Sequence, residues 1–196
     1  MKQRKRAYVM RARSATTEAM RERIRHSAIQ MYSERPLDDF TLDEVAKRAK
    51  STVQTVLRAF GSKDNLIVAA LAALSPQGSP MKPSPIGDVA AAVSVIFDLY
   101  ESIGAVVIQQ LADERRLPGL EADLNLGRSV HRDWVKTVFA PQLRRARGNA
   151  RMQLFNGLVV ATDVYVWKLL RRDQALNRAP AEAVVRRIIK GLINEE

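Results

Sequence analysis

The amino-acid sequence predicts an all-α protein. Apolar residues recur at three- and four-residue intervals along most of the chain, which is the spacing of a helix that packs on one face. No stretch alternates apolar and polar residues as a half-buried strand does, and no internal repeat of solenoid length is present. Because proline and glycine clusters separate the periodic stretches, we expect a series of distinct helices without a sheet.

The first helix is predicted over residues 17–35. Its apolar residues lie at helical spacing with charged residues between them, as in Met20, Ile24, Ala28 and Tyr32. Pro36 lacks a backbone N–H and disfavours helix at the residue before it, so the helix should end near Arg35.

Two short helices are predicted next. Thr41 precedes Glu44 by three residues, which is the spacing of a capping box, and a second helix should begin there. Lys50 and Ser51 interrupt its apolar face, and either Ser51 or Thr52 can cap a third helix of about two turns. This pair of helices across a tight break is the layout of a helix-turn-helix.

A fourth helix and a domain junction follow. Gly61 suits the left-handed position after a helix, and Ser62 can cap a helix that runs to residue 74. The next eleven residues hold four prolines and a glycine, which excludes regular structure. We therefore predict a basic N-terminal arm at 1–16, a helix-turn-helix domain with its linker helix at 17–74, a proline-rich loop at 75–85, and a helical domain at 86–196.

The helical domain is predicted to contain four long helices. The first three span residues 86–110, 120–138 and 151–172, and Pro180 fits the first turn of a last helix over 181–193. The helices at 151–172 and 181–193 are apolar on more sides than one small bundle can cover. We expect them to pair with their copies in a homodimer.

Composition and charge restrict the function classes. The chain has no cysteine and two histidines, so disulfides and thiolate metal sites are excluded and we expect no metal or other cofactor. No run approaches ~20 uninterrupted apolar residues, and a cytoplasmic protein without a membrane partner is favoured. Residues 1–64 hold 15 of the 32 Lys/Arg but 8 of the 21 Asp/Glu, which indicates a polyanion partner at this end.

The stretch from Ile24 to Leu66 resembles the TetR (tetracycline-repressor-like) family of bacterial transcriptional regulators. The matching positions are Ile24, Ala28 and Tyr32, then Thr41, Val45-Ala46, Thr52, Thr55-Val56 and Arg58, and finally the run Phe60-Gly61-Ser62-Lys63 with Leu66. Two positions depart from the family pattern. Lys50 stands where glycine is usual, and Leu57 stands where a phosphate-contacting tyrosine is common.

The polar residues around the third helix are the predicted DNA contacts. Gln54, Thr55 and Arg58 lie on or near its polar side, where such side chains can reach base edges. Thr41 and Lys63 lie at helix beginnings, where exposed N–H groups hold phosphate. The same role is predicted for Thr52 and Lys50, and Arg13 belongs to the basic arm, which either enters a minor groove or is a solvated terminus.

The resemblance implies a regulator that binds double-stranded DNA at a palindromic operator and is released by a small hydrophobic ligand. Aromatic residues of the C-terminal domain are the pocket candidates, namely Phe97, Tyr100, Trp134, Phe155 and Tyr165. A regulator without an inducer, whose C-terminal domain only dimerises or binds a protein, is the first alternative. A helical-bundle enzyme is the second, but no catalytic motif supports it, and we predict no enzyme activity.

Overall fold

The computed structural model describes residues 2–73 and 82–194, with side chains from residue 15 onward. Every regular element in these ranges is helical, which confirms the all-α prediction. The chain divides into two compact units, residues 1–74 and residues 75–196.

The first unit contains four α-helices. They are α1 (Lys2–Glu34), α2 (Leu42–Arg48), α3 (Val53–Phe60) and α4 (Lys63–Ala72), with a 3₁₀ turn at Leu37–Asp39. Helix α1 packs against α2 and α4, and α3 packs against α2 and α4. The prediction that the first helix begins at residue 17 is wrong, because α1 already begins at Lys2. Residues 2–16 lack an apolar period, but they contain good helix formers and neither proline nor glycine.

Short-range capping contacts fix the beginnings of α2, α3 and α4, as predicted. The Thr41 N–H donates to Glu44 Oε2 at 2.7 Å, and the Glu44 N–H donates back to Thr41 Oγ1 at 3.3 Å. Thr52 accepts from the N–H of Thr55, and Ser62 accepts from the N–H of Asn65. Each cap satisfies a backbone donor that the first turn of its helix leaves free.

The second unit contains six α-helices within its described residues. They are α5 (Val89–Asp113), α6 (Leu120–Val138), α7 (Ala140–Arg145), α8 (Gly148–Ala161), α9 (Val164–Lys168) and α10 (Arg178–Asn194). Helix α5 packs against α6, α9 and α10, and α8 packs against α6, α7 and α10. The core of the unit contains Phe97, Phe139 and Trp167, which are all buried. These contacts make α5 and α8 the central helices.

The single helix predicted over residues 151–172 is broken. Helix α8 ends at Ala161, α9 begins after Asp163, and a π-helical segment follows at Leu169–Asp173. The Thr162 hydroxyl donates to the Leu158 carbonyl at 2.8 Å, and Asp163 Oδ1 accepts from the Tyr165 N–H at 2.9 Å. Thr162 therefore caps the end of one helix, and Asp163 caps the beginning of the next.

Helix α5 is long and apolar enough to cross a membrane by composition, with a mean hydropathy of 1.8 over 18 residues. Its faces nevertheless pack against α6, α9 and α10, and seven of its residues are buried. Its three carboxylates are paired with arginines, Asp98 with Arg178 at 2.7 Å, Glu101 with Arg171 at 2.5 Å and Asp113 with Arg116 at 3.9 Å. These contacts are those of a core helix in a folded unit.

Candidate nucleic-acid interface

The turn between α2 and α3 is a complete Schellman motif with Lys50 at its left-handed position. The Ser51 N–H donates to the Ala46 carbonyl at 2.8 Å, and the Lys50 N–H donates to the Lys47 carbonyl at 3.1 Å. Lys50 has φ = 51°, so the chain keeps the backbone turn for which glycine is the usual residue. The sequence departure at Lys50 therefore introduces strain and leaves the turn unchanged.

We expect Lys50→Gly to raise the melting temperature of the first unit. A residue with a Cβ destabilises the folded state by about 1–2 kcal/mol in this conformation, and glycine removes that strain. Glycine also makes the unfolded chain more flexible, which offsets about 0.5–1 kcal/mol of the gain in stability. The net gain should be a few degrees, measured by scanning calorimetry.

Lys47→Gly is the matched control for this substitution. It also removes an exposed lysine, but from the last turn of α2, where glycine costs up to about 1 kcal/mol relative to alanine and the ion pair of Lys47 with Asp43 is lost as well. We expect this control to lower the melting temperature. An unchanged or lower melting temperature for Lys50→Gly would contradict the strain at Lys50.

Helix α3 presents three side chains to solvent on one side. Gln54, Leu57 and Arg58 are exposed, whereas Val56 and Phe60 are buried. Within the described residues, neither Gln54 nor Arg58 has a hydrogen-bonded or ionic side-chain partner, and the same is true of Lys50. Their donors are therefore available to an external partner.

The threonines predicted as DNA contacts take part in local capping, Thr41 and Thr52 as the caps and Thr55 as the residue that Thr52 caps. Thr41 and Thr52 are exposed at the beginnings of α2 and α3, and the Thr52 and Thr55 hydroxyls lie 2.9 Å apart. The Thr41 partner Glu44 also binds Arg35 at 2.7 Å. The Arg35 guanidinium and the Thr41 N–H lower the pKa of Glu44 to about 2, so its carboxylate stays charged at neutral pH.

Lys63 lies at the beginning of α4, as predicted, but its side chain also has internal partners. Its Nζ donates to the carbonyls of Leu37 and Phe40 at 2.7 and 2.9 Å, and it lies over the Phe40 ring. The ammonium therefore joins the first turn of α4 to the 3₁₀ turn, where two backbone acceptors would otherwise be unsatisfied. Two of the three donors of this ammonium are used inside the first unit, and its predicted phosphate contact stays a prediction.

Arg21 positions α3, and sequence reasoning missed it. Its guanidinium donates to the Ala59 carbonyl at 2.9 Å and lies 4.7 Å from the centroid of the Phe60 ring. Arg21 stands among other charged residues of α1 and carries no local sign of this contact. Arg13, predicted as a contact of the basic arm, lies outside the residues whose side chains are described.

The five aromatic residues predicted to line a ligand pocket are dispersed. Phe97 is packed in the core, and Tyr100 is buried with its hydroxyl donating to the Thr162 carbonyl at 3.1 Å. Burial raises the pKa of Tyr100 above its usual value. Trp134 is buried against Phe139, whereas Tyr165 is 56% exposed. Among the described residues, Tyr165 is therefore a surface side chain that follows the helix break at Thr162.

Phe155 does line a pocket, of about 290 Å³, between α6, α7 and α8. Its other walls are Lys136, Leu143, Gly148, Arg151 and Met152. The Arg132 and Lys136 cations lie 5.7 and 5.9 Å from the Phe155 ring centroid. The pocket thus combines apolar walls with a cationic rim. In the described part of the chain, no group of three or more His, Asp or Glu residues could hold a metal ion.

Comparisons with known proteins agree with this architecture. Residues 24–70 match the family model described as "Bacterial regulatory proteins, tetR family". The fold is similar to the crystal structure of a TetR transcriptional regulator from Rhodococcus sp. RHA1, with a TM-score of 0.54 and 19% identity over 91% of this chain and 97% of that one. No curated protein matches the sequence. The helix-turn-helix at Leu42–Phe60 lies inside the matched residues, so this part of the chain is a DNA-binding domain of the kind found in the tetR family of bacterial regulatory proteins.

Proposed function

We propose that the protein is a cytoplasmic, homodimeric repressor that binds a palindromic operator and is released by a small molecule. The observation that carries the DNA-binding part is the set of free donors on the exposed side of α2 and α3, Lys50, Gln54 and Arg58. Each subunit places α3 in a major groove, and the half-sites lie about one helical turn apart or wider.

Arg58 and Gln54 are the proposed base-reading residues. A guanidinium binds guanine at O6 and N7, and a carboxamide binds adenine at N6 and N7. Lys50 at the turn, together with the N-terminal ends of α2 at Thr41 and α3 at Thr52, is proposed to hold phosphates. Arg13 is proposed to add a contact from the beginning of α1.

Selection of bound DNA from a random library tests this division. Arg58→Ala should change the preferred base at one position of each half-site. Lys50→Ala should instead weaken binding to all sequences equally and reduce the slope of log K against log[salt] by about one. Identical effects of the two variants would contradict the assignment. Failure to select any sequence would contradict operator binding itself.

The homodimer is supported by apolar side chains beside the contact of α8 with α10. A Cβ at Gly157 would lie 3.0 Å from the Leu192 side chain, so the two helices approach closely there. Val160, three residues after Gly157, is 64% exposed, and Ile188, four residues before Leu192, is 43% exposed. Val184 continues this exposed stripe on α10. A second copy would remove these side chains from water.

The pocket at Phe155 is the proposed ligand site. Apolar walls with Lys136 and Arg151 at the rim suit a molecule with an apolar body and an anionic group. Release requires that such a ligand bind one dimer geometry more tightly than the other. A ligand-induced loss of operator affinity that Phe155→Ala abolishes would support this site.

The alternative, a regulator without an inducer, is favoured by the size of that pocket. A volume of about 290 Å³ lies at the lower end of ligand sites, which span about 300–1,000 Å³. Phe97 and Tyr100, moreover, are packed in the core and do not line this pocket. Operator affinity measured with and without small anions distinguishes the two functions. A regulator without an inducer keeps the same affinity in the presence of every anion tested.

A further inference from the structure

Leu57 is an exposed apolar side chain at one edge of the proposed DNA-reading surface. It is 42% exposed in α3, and it lies three residues after Gln54 and directly before Arg58. At about 100° per residue, Leu57 and Arg58 lie on either side of Gln54, separated by about 60° and 40° from it. Leu57 lies about 60° from the buried Phe60 on its other side, so it stands between the buried side of α3 and the exposed Gln54.

An isolated leucine on a protein surface needs no explanation. This one differs because any nucleic acid bound through Gln54 and Arg58 would also cover it. A leucine side chain has no donor or acceptor, so contact with a phosphate or with the polar edge of a base would remove water from those groups without a replacement hydrogen bond.

The major groove offers one apolar group that differs between bases, the C5 methyl of thymine. Contact with that methyl buries apolar surface on both sides and leaves no polar group unpaired. We propose that Leu57 selects thymine in each half-site of the operator through the C5 methyl group. This inference rests on the proposed function, because it requires α3 to lie in the major groove.

The spacing of the side chains restricts where this thymine lies. Side chains three residues apart on a helix are about 5–6 Å apart at Cβ, and base pairs are stacked about 3.4 Å apart. The thymine read by Leu57 should therefore lie one or two base pairs from the base read by Gln54, on the side away from Arg58.

Deoxyuridine provides the test, since it differs from thymidine only by the missing methyl group. After the operator has been selected, each thymine of a half-site is replaced singly and the affinity of the full-length protein is measured. One replacement should weaken binding about fourfold, as expected for one buried methyl, and the same replacement in both half-sites should weaken it on the order of 15-fold.

Leu57→Ala and Leu57→Asn are the variants that assign the effect. Asparagine has a similar size to leucine but no methyl group, so Leu57→Asn should bind thymine and uracil at that position equally. Leu57→Ala, which keeps one methyl group, should reduce the difference. Arg58→Ala is the matched control, because it should lose affinity and yet keep the full thymine-to-uracil difference. The melting temperatures of the Leu57 variants establish that they remain folded, as expected for an exposed position.

Two results would overturn the inference while leaving the proposed function intact. Either no thymine replacement changes the affinity of the unmodified protein, or the difference persists undiminished in Leu57→Ala. A protein that selects no operator would overturn both the inference and the proposed function.

Discussion

We expect Gly104→Ala to destabilise the second unit by about 1–3 kcal/mol, through overpacking of its core. A Cβ at position 104 of α5 would lie 2.6 Å from Cζ3 and 2.8 Å from Cη2 of Trp167. Carbon atoms in contact are ordinarily about 3.5–4.0 Å apart, so either the ring or α5 must move. The melting temperature should fall by about 4–12 °C for a unit of this size.

The Trp167 ring has little freedom to move away. It is 2% exposed, its Nε1 donates to Glu101 Oε1 at 3.1 Å, and the Tyr100 ring lies beside it at a centroid distance of 6.2 Å. Both tryptophans of the chain, Trp134 and Trp167, are in the second unit. Thermal unfolding followed by tryptophan fluorescence therefore reports this unit directly.

Gly127→Ala is the control for Gly104→Ala. Gly127 lies in α6, and a Cβ there meets no atom within 4 Å. Alanine should raise helix stability by up to about 1 kcal/mol at such a site. Equal melting temperatures for the two variants would mean that the close approach of α5 to Trp167 does not restrict position 104.

We expect Ile188→Glu to convert the proposed dimer into monomers and to reduce operator affinity at least 100-fold. A dimer axis between the α8–α10 pairs would bring a carboxylate from each subunit into an apolar interface. The desolvation of each such charge costs several kcal/mol. A monomer also loses the increase in affinity of about 10²–10⁴-fold that binding two half-sites at once provides. Sedimentation and operator titration measure the two effects.

Lys190→Glu introduces the same side chain on the other side of α10. Lys190 is exposed and lies about 160° around the helix from Ile188. This variant should remain dimeric and should bind the operator with at most a small loss. A dimeric Ile188→Glu protein with normal operator affinity would exclude α10 as the dimer interface.

Features fixed by neighbouring residues could be predicted from the sequence. The caps at Thr41, Thr52 and Ser62 each join residues three apart, so their spacing is visible in the chain. The strain at Lys50 could be anticipated for the same reason, since the Schellman turn depends on a few consecutive residues.

Features fixed by distant residues could not be predicted. The two carbonyls that hold Lys63 come from residues 23 and 26 positions earlier, and Arg21 reaches a carbonyl 38 positions later. The apolar period of 151–172 runs through Thr162 without interruption, and only the fold shows that the helix breaks there. The exposure of Tyr165 and the burial of Phe97 are consequences of that same long-range packing.

The break after α8 also determines how this unit can move. Thr162 is buried there, with its carbonyl bound by Tyr100 of α5 and its hydroxyl 2.9 Å from Nε2 of His131 in α6. Burial lowers the pKa of His131, so this imidazole is neutral at physiological pH and adds no charge to the corner. A helix break held by two other helices is a rigid joint, not a hinge. We therefore expect a displacement of α6 or α8 at the Phe155 pocket to move α9 in the same direction.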